Sequence, residues 1–382
     1  MNLRAAVVGV GFVGRAHVES LRRQGISVQG ILGNSLLRTQ ETCRALNLPR
    51  AYSSIEELLG DSSVDIVHLC TPNHLHLPHA QAALRAGKHV MCEKPLAMDA
   101  VETATLVQEV QKSNRVGGVT YNQRYYPLCQ EAHTLVHSGA IGEPRLVHGT
   151  FLQDWLLYPS DWNWRLEADQ GGSMRAVSDI GTHWLDLMMW ITGRKVVEVC
   201  ADLATVIPVR QRPLGTVETF QTSQSGKSED VKMTTDDYAS VLLHFEGGLR
   251  GVMTVSQVSA GRKNRLWFEV DGSEGSLAWN AEEPNVLWLG KRNEPNRILI
   301  KNPALMTPEA RGYAAYPGGH AEGYPDTFTQ LFKDFYAYIE AGDFKAHRTF
   351  PTFETGHIEV ALCDVIASSA RERRWVSFPE QA

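Results

Sequence analysis

Short apolar runs alternate with amphipathic stretches through about the first 125 residues. The runs predict strands at residues 5–9, 27–32, 66–70, 89–92 and 117–120. Strands that alternate with helices are typical of a parallel sheet covered on both faces, because each crossover lays a helix on one face. We therefore predict an α/β domain over residues 1–125.

After residue 125 the pattern changes to alternating or apolar runs joined by tight turns. The runs predict strands at residues 196–207, 238–245, 251–257, 266–270, 276–280 and 286–289. Glycine-containing turns at 246–248 and 271–273 connect neighbouring runs, which is typical of antiparallel sheets. We predict an α+β domain over residues 126–382, whose large, mostly antiparallel sheet carries helices on one face and leaves the other face open. The polar stretch 208–235 is predicted to be a loop.

Two helices are predicted in this second half. One spans residues 326–341, places its aromatic residues on one face and ends at Gly342. The other spans about residues 178–192, with Ser178 as its N-cap and Gly193 at its end. Asp179 and His183 are four residues apart on this helix, so their side chains lie on the same face.

Length and composition narrow the class of protein. The chain has 382 residues, which favours two domains, and its formal net charge is -6. We expect no binding to nucleic acid or to an anionic membrane, because both require clustered basic residues. The six cysteines are scattered without a CxxC pair, which favours reduced thiols in a cytoplasmic protein. No apolar stretch approaches the roughly 18 residues that span a membrane.

The sequence GVGFVG at residues 9–14 follows the first predicted strand and opens an amphipathic helix. In this setting Gly9 permits a tight turn, Gly11 lets a pyrophosphate approach the backbone, and Gly14 lets helix and strand pack closely. The N–H groups at the start of the helix favour a bound phosphate. The first domain is therefore predicted to be a Rossmann domain that binds a dinucleotide.

An acidic residue that would bind the adenine ribose is missing from its usual place, about twenty positions after the glycine turn. Gly33 stands there, followed by Asn34 and Ser35, with Arg38 one turn away. No negative charge would repel a 2'-phosphate, and neutral side chains can also bind the ribose hydroxyls of NAD. The sequence leaves NAD and NADP equally open.

Candidate ligand-binding residues follow two of the predicted strands directly. Thr71, Asn73 and His76 come after strand 66–70, and Lys94 comes after strand 89–92. These positions are at the carboxyl end of a parallel sheet, where open α/β folds bind ligands. The three histidines in segment 70–79 have no acidic or cysteine partner nearby, so we do not interpret them as a metal site.

The Asp179 and His183 pair is suited to proton transfer. The carboxylate can accept a hydrogen bond from a hydroxyl group while the imidazole exchanges the hydroxyl proton near neutral pH. Two other interpretations stay open from spacing alone. The pair is also compatible with a capping aspartate beside a structural histidine, or with a metal pair completed by Asp186 or His320.

Four motifs taken together resemble the Gfo/Idh/MocA family, named after glucose-fructose oxidoreductase and inositol dehydrogenase. They are GVGFVG at 9–14, TPNHLH at 71–76, EKP at 93–95 and GGSMRAVSDIGTHWLD at 171–186, and the resemblance spans nearly the whole chain. It implies hydride transfer between a nicotinamide cofactor and a carbohydrate or cyclitol carbon. It also implies that Lys94 and His183 handle the hydroxyl proton while Asp179 orients the substrate.

The motifs and the resemblance give a set of expected binding residues. The expected cofactor-binding residues are Gly9, Gly11, Phe12, Val13, Gly14, Asn34, Ser35, Arg38, Thr71, Pro72, Asn73, His76, Glu93, Lys94, Asn122, Trp164 and Arg165. The expected substrate-binding residues are Lys94, Arg124, Trp162, Asp179, His183, His320 and Tyr324. Tryptophan-rich segment 154–165 suits a sugar, because aromatic faces stack on the apolar faces of pyranose rings. No metal is expected.

Segments 256–266 and 318–324 are similar to the levoglucosan dehydrogenase branch of that family, which acts on intact or anhydro sugars. Two other functions fit the same fold: a glycosidase that retains its NAD, and a silent nucleotide sensor. The intact EKP motif favours net oxidation over the first, and the joint presence of Lys94, Asp179 and His183 disfavours the second. We expect the site in a cleft between the two domains, and a homodimer or homotetramer formed through the open sheet face.

Overall fold

The computed structural model describes residues 3–215 and 227–379, which form two compact units. The first unit contains the chain up to Asn122 together with Asp169–Gly172 and Thr327–Val360. The second contains Gln123–Ala168, Ser173–Asp326 and the chain from Ala361 onward. The predicted division at residue 125 therefore omits two later segments that pack with the first unit.

The first unit contains a six-stranded parallel sheet in the order β3-β2-β1-β4-β5-β6. Its strands are β1 (Arg4–Val8), β2 (Ser27–Leu32), β3 (Arg50–Ala51), β4 (Ile66–Leu69), β5 (His89–Cys92) and β6 (Gly117–Val119). Its helices are α1 (Phe12–Arg23), α2 (Leu36–Ala45), α3 (Ile55–Gly60), α4 (His76–Arg85) and α5 (Ala100–Ser113). The strand order reverses at β1, which places the carboxyl ends of β1 and β4 at the point where such sheets bind ligands. The predicted Rossmann fold is confirmed.

The second unit begins with helices and a wide helical turn. They are α6 (Pro127–His137), a π-helical turn (Val177–Gly181) and α8 (Thr182–Thr192). The short helix α7 (Ala168–Gly171) belongs, except for Ala168, to the first unit. Gly193 ends α8 in the left-handed region with φ of 65°, as predicted. Ser178 is not the N-cap, because the chain is already helical there and its hydroxyl donates to the Met174 carbonyl at 2.7 Å.

A nine-stranded sheet forms the body of the second unit, in the order β16-β15-β14-β13-β7-β12-β11-β8-β17. Its strands are β7 (Pro144–Leu152), β8 (Val196–Ala204), β11 (Tyr238–Phe245), β12 (Arg250–Ser256), β13 (Arg265–Gly272), β14 (Ser276–Asn280), β15 (Val286–Lys291), β16 (Glu294–Ile300) and β17 (Val376–Ser377); β9 (Val209–Pro213) and β10 (Ser228–Lys232) form a separate hairpin. All neighbours are antiparallel except β7 and β12. The expected mostly antiparallel sheet is confirmed.

Alternation along the strands separates two faces of this sheet. On β13, Leu266, Phe268 and Val270 are fully buried, and the residues between them are partly exposed. Helices α6 and α8 pack against the sheet, and the Trp184 indole of α8 donates to the Trp267 carbonyl at 3.1 Å. The apolar alternation therefore selects the face on which the helices pack.

Six of the described strands were missed by the sequence prediction: the short β3 and β17, the edge strand β16, the two strands of the β9–β10 hairpin, and β7. The hairpin lies in the stretch 208–235 that was predicted to be a loop; residues 216–226 of that stretch lie outside the described residues. β7 pairs with β12 on one side and β13 on the other. The buried positions of β7 are Val147, Gly149 and Phe151, so a glycine interrupts the apolar alternation that would have marked it.

Three helices complete the fold: α9 (Pro308–Arg311), α10 (Tyr324–Ala341) and α11 (Phe353–Glu372). From Thr327 onward α10 packs with the first unit, where the rings of Phe328 and Phe332 contact His17. Phe353 at the start of α11 lies against Gly117 of β6. In the part of the chain that the structure describes, none of the helices combines the length and the apolar character of a membrane span.

Candidate active site

The glycine turn between β1 and α1 is shaped by two close backbone approaches. Gly9 has a φ of 131°, and a Cβ at this position would collide with the Cys70 carbonyl. A Cβ at Gly14 would collide with the carbonyl of Gly9. At Gly11, by contrast, no heavy atom lies within 4 Å of the place where a Cβ would be. The turn is packed tightly from behind and leaves space above Gly11, at the N-terminus of α1.

The loop after β2 carries the residues expected at the adenine ribose. Ser35 caps α2, and its hydroxyl accepts the Arg38 N–H at 3.4 Å. Asn34 is exposed. A Cβ at Gly33 would lie 2.8 Å from both methyl groups of Val10, so a carboxylate at this position would require Val10 to move. Asn34 is therefore the less crowded position from which a side chain could reach the ribose.

The segment after β4 is held by contacts with the main chain. Asn73 donates to the Gly171 carbonyl at 2.8 Å. The His76 ring is buried between two carbonyl oxygens, with Nδ1 2.8 Å from Pro95 O and Nε2 2.9 Å from Thr71 O. Burial lowers the pKa of His76. These contacts give His76 a structural role, since its ring ties the TPNHLH loop to the EKP loop.

Thr71 differs from its neighbours because its buried hydroxyl has no hydrogen-bond partner among the described residues. A buried hydroxyl without a partner is costly, so its position favours a ligand that supplies one. Together with the open space above Gly11, this hydroxyl fits a dinucleotide at the carboxyl edge of the sheet. Asn122 is bound elsewhere, since its amide donates to Thr327 of α10 at 2.7 Å.

Glu93 and Lys94 of the EKP motif follow β5. The Lys94 N–H donates to Glu93 Oε2 at 3.3 Å, and the Lys94–Pro95 peptide is cis. The other Glu93 oxygen, Oε1, lies 3.1 Å from Nε2 of His17 on α1. The carboxylate therefore connects the cofactor helix to the loop that carries Lys94.

A chain of buried side chains continues from His17 into the unit. Nδ1 of His17 lies 3.0 Å from Nδ1 of His68 on β4, and Nε2 of His68 lies 3.0 Å from the Tyr336 hydroxyl on α10. These three contacts form one continuous chain of hydrogen-bonding side chains from Glu93 to Tyr336, which we call the histidine chain. Burial and the nearby His17 lower the pKa of His68 well below its usual value, which keeps that ring neutral.

In the second unit, Asp179 lies in the π-helical turn and His183 in the first turn of α8. The chain stays helical from one residue to the other, so the four-residue spacing still separates them by about one turn. Asp179 Oδ1 accepts from Arg165 Nε at 3.1 Å, and Oδ2 accepts from Gln257 Nε2 at 2.8 Å. His183 is 7% exposed, and its ring centre lies 6.3 Å from that of Phe151. Asp179 is thus held on both oxygens.

The tryptophan-rich segment contributes to this group unevenly. The Arg165 guanidinium lies 4.4 Å from the centre of the Trp164 ring and also donates to Asn163. Trp162 is only 7% exposed and belongs to a buried cluster with Leu156 and other apolar side chains. Arg165 therefore lies beside Asp179. The Trp162 ring is mostly buried in the hydrophobic cluster under the loop, so little of it is exposed for stacking on a sugar.

Other expected substrate residues have structural contacts. Arg124 forms a two-pronged ion pair with Asp186 of α8, with Nε 2.8 Å from Oδ2. Both Asp186 oxygens are occupied by this guanidinium, so Asp186 is not available to complete the alternative metal set. His320 is exposed, with Nδ1 3.3 Å from the Gly318 carbonyl, and Tyr324 begins α10.

Apart from Arg165, the residues that hold or support the two carboxylates were missed by the sequence prediction. They are His17, His68 and Tyr336 around Glu93, and Arg175 and Gln257 around Asp179. Arg175 stands inside the quoted motif at 171–186 and was not singled out. Gln257 stands at the end of a predicted strand, where nothing in the local pattern distinguishes it from an ordinary polar residue.

The parallel sheet with its glycine turn, and a carboxylate and an imidazole about one helical turn apart at Asp179 and His183, are features expected of a dinucleotide-dependent oxidoreductase. Comparison with known families agrees. Residues 3–121 match the model of the oxidoreductase family with an NAD-binding Rossmann fold, and residues 129–278 match the GFO/IDH/MocA C-terminal domain. The chain belongs to the GFO/IDH/MocA family of NAD-binding oxidoreductases.

Similar proteins extend over the full length. Levoglucosan dehydrogenase of Pseudarthrobacter phenanthrenivorans is 29% identical over 99% of both chains. Myo-inositol 2-dehydrogenase of Thermotoga maritima is 26% identical, again over 99% of both. A solved structure of levoglucosan dehydrogenase in complex with NADH and levoglucosan is 28% identical, covers 100% of both chains and has a TM-score of 0.89.

Proposed function

We propose that this protein oxidises a secondary hydroxyl group of a sugar, anhydrosugar or cyclitol with NAD. The observation that carries the proposal is the Asp179 carboxylate, held by Arg165 and Gln257 about one helical turn before His183. A fixed carboxylate and an imidazole on one helix suit the orientation and deprotonation of a hydroxyl group. The family membership supports the nicotinamide chemistry, and two full-length relatives are a levoglucosan dehydrogenase and a myo-inositol dehydrogenase.

In the proposed mechanism each side chain has one task. Bound NAD supplies the hydride acceptor. Lys94 or His183 accepts the hydroxyl proton as the C–H bond breaks, so the substrate oxygen never carries a full negative charge. Asp179 accepts a hydrogen bond from the substrate and orients it. In the reverse direction the same groups return the proton to the carbonyl oxygen.

The cofactor is proposed to bind along the carboxyl edge of the parallel sheet. Gly11 and the first turn of α1 would hold the pyrophosphate, and the Thr71 hydroxyl would gain the partner that it lacks. Ser35 accepts the Arg38 N–H and keeps its own hydrogen for a ribose hydroxyl. We propose NAD as the preferred cofactor, since the matching family model describes an NAD-binding Rossmann fold and a similar solved levoglucosan dehydrogenase is in complex with NADH.

The test is an activity screen with the purified protein. NAD or NADP is mixed with levoglucosan, myo-inositol and a panel of aldoses, and the absorbance of the reduced nicotinamide is followed. Turnover with NAD supports the proposal. Cleavage of a glycoside without net reduction of NAD would instead identify a glycosidase, and cofactor binding without any turnover would identify a sensor.

Cofactor preference is tested separately with Asn34→Asp. A carboxylate at this exposed position repels the 2'-phosphate of NADP and accepts hydrogen bonds from the ribose hydroxyls of NAD. The ratio of kcat/KM for NAD to that for NADP should rise roughly tenfold, which corresponds to about 1.4 kcal/mol. A fall in this ratio would show that Asn34 does not face the ribose.

We also propose that the open face of the nine-stranded sheet joins two copies of the chain. One row of partly or fully exposed residues crosses eight of its strands and is apolar at both ends: Ile298, Trp288, Ala278, Glu269, His148, Val252, Leu242 and Cys200. Leu242 is 49% exposed and Ile298 is 57% exposed. Light scattering should give at least twice the chain mass, and Leu242→Glu should shift the protein toward a monomer.

A further inference from the structure

We infer that Gln257 is a positioning residue for the reaction: its amide fixes the Asp179 carboxylate that orients the substrate. The inference rests on the proposed function, because it assigns a role to a residue that contacts Asp179 of the proposed active site. Gln257 follows β12 directly and is 0% exposed. Its side chain joins Asp179 to a buried cluster of charged residues.

The orientation of the Gln257 amide is determined by its two partners. Nε2 lies 2.8 Å from Asp179 Oδ2, and Oε1 lies 2.7 Å from Nη1 of Arg175. A guanidinium has only donors and an ionised carboxylate has only acceptors. A half-turn of the amide would place N–H against N–H on one side and oxygen against oxygen on the other. The amide therefore always presents its N–H to Asp179.

Arg175 is itself held rigidly. Its guanidinium forms a buried ion pair with Asp237, and its backbone N–H donates to Asp236 at 2.6 Å. Arg210 also contacts Asp237, at 2.8 Å. Two cations and two carboxylates thus compensate one another inside the unit. A charge that is compensated and hydrogen-bonded in this way loses little by burial and is a stable anchor for the amide.

The second Asp179 oxygen has a different kind of partner. Arg165, the last residue of the tryptophan-rich segment 154–165, donates through Nε to Asp179 Oδ1 at 3.1 Å. The charged and titratable groups around Asp179 include Arg165, His183 on the next helical turn, and Arg175 with its two carboxylates behind Gln257. Gln257 itself is uncharged. Replacing its amide with a carboxylate changes the charge beside Asp179 without changing the shape of the side chain.

The experiment is Gln257→Glu. Two carboxylates at hydrogen-bond distance cannot both stay ionised easily, so one of them takes up a proton at a higher pH than an isolated carboxyl group does. The acid limb of the kcat profile should move upward by about one pH unit or more. At neutral pH kcat should fall roughly 10- to 100-fold, while KM for NAD changes less than about twofold. Gln257→Met should lower kcat without adding a charge.

The matched control is Gln153→Glu, the same chemical change at a glutamine whose partners are Asn264 and Trp155. It should leave the acid limb in place. An unchanged acid limb in Gln257→Glu, in an enzyme whose wild type turns over, would overturn the inference and leave the proposed function intact.

A second measurement does not require turnover. The loss of Tm in Gln257→Glu relative to the wild type should be larger at pH 8 than at pH 5, because protonation relieves the repulsion. The loss in Gln153→Glu should not depend on pH in this way. Equal losses at both pH values in Gln257→Glu would show that its side chain does not face an ionised Asp179, and would overturn the inference whatever the substrate.

Discussion

Glu93 in the first unit and Asp179 in the second are both mostly buried carboxylates beside a residue that is proposed to move a proton. Glu93 is held by His17, and the chain continues through His68 to a tyrosine hydroxyl. Asp179 is held by one cation and by an amide that is anchored on a charged cluster. The two halves therefore fix their carboxylates by different physical means.

The difference indicates what each half tolerates. The histidine chain loses one hydrogen bond when its outermost member, Tyr336, is removed, and the group left behind is the His68 ring, which burial keeps neutral. A charged cluster loses its compensation, and an unpaired buried charge costs several kcal/mol. We expect substitutions around Asp179 to be the more damaging ones, and four predictions test this comparison.

The largest effect is expected at the two residues that are proposed to handle the hydroxyl proton, Lys94 and His183. Lys94→Ala and His183→Ala should each lower kcat by roughly 10²- to 10⁴-fold, because each removes a group proposed to handle the same proton. The decrease in kcat in the double variant should be little larger than the decrease in the less active single variant, because the effects of groups that act as a unit are not additive. Steady-state kinetics on the four proteins measures this.

Lys112→Ala, at an exposed lysine of α5, is the control for the loss of a positive charge and should keep full activity. Losses that simply multiply in the double variant would show that Lys94 and His183 act in separate steps. The comparison would then describe two independent sites.

The charged cluster gives the next largest effect. Arg175→Met should lower the free energy of unfolding by about 3–5 kcal/mol, because Asp237 loses one of its two buried guanidinium partners and the Gln257 oxygen loses its donor. Urea denaturation at neutral pH measures the loss. Arg262→Met, which removes an exposed partner of Glu282, should cost less than about 1 kcal/mol. A cost as small as this at Arg175 would contradict the expected fragility of the charged half.

The histidine chain, which connects Glu93 through His17 and His68 to Tyr336, should lose less stability when its outermost hydroxyl group is removed. Tyr336→Phe removes the hydroxyl that lies 3.0 Å from His68 Nε2 and leaves that nitrogen buried without this partner. We expect a loss of about 1–3 kcal/mol in the free energy of unfolding. Tyr338→Phe is a suitable control, because its hydroxyl bond to Ala346 is exposed and 3.3 Å long. A Tyr336→Phe loss larger than that of Arg175→Met would reverse the comparison.

The smallest expected effect is on the pH dependence of the free energy of unfolding, and it comes from His68. The folded state lowers the pKa of His68 below the ordinary value of 6.5, so below about pH 6.5 the unfolded chain binds a proton that the folded chain does not. This contribution to stability is present above pH 6.5 and is lost as the pH falls, with a slope of at most about 1.4 kcal/mol per pH unit.

His68→Phe should remove this part of the slope between pH 6.5 and pH 5, although it also lowers stability at neutral pH. The free energy of unfolding at several pH values measures both quantities. An identical slope in the variant and the wild type would show that protonation of His68 does not cause the loss of stability at low pH.

Much of the fold could be predicted from the sequence, because local patterns produce it. Predicted strands such as 27–32 and 238–245 agree with β2 and β11 to the residue. The glycine turn was visible because its three small residues stand between an apolar run and a helix. β9 and β10 were not visible, since their sequences VRQRP and SEDVK are polar and carry no alternation.

The candidate site divides in the same way. Asp179 and His183 were found because their spacing lies within one helix. Gln257 and Arg175 were not found, because they are 82 residues apart in sequence and only the folded sheet brings them together. His17 was not singled out, since nothing nearby in the sequence indicates a contact with Glu93, 76 residues later.

The return of segment 327–360 to the first unit has a consequence for how the protein is made. A ribosome releases all six strands of the parallel sheet about two hundred residues before it releases Phe328, Phe332 and Tyr336, which surround the His17 and His68 rings. Until then these imidazoles have no cover from α10. In a fragment that ends at residue 125 the His17 and His68 rings would never be covered by α10. An isolated nucleotide-binding domain should therefore be made as a fusion that includes segment 327–360.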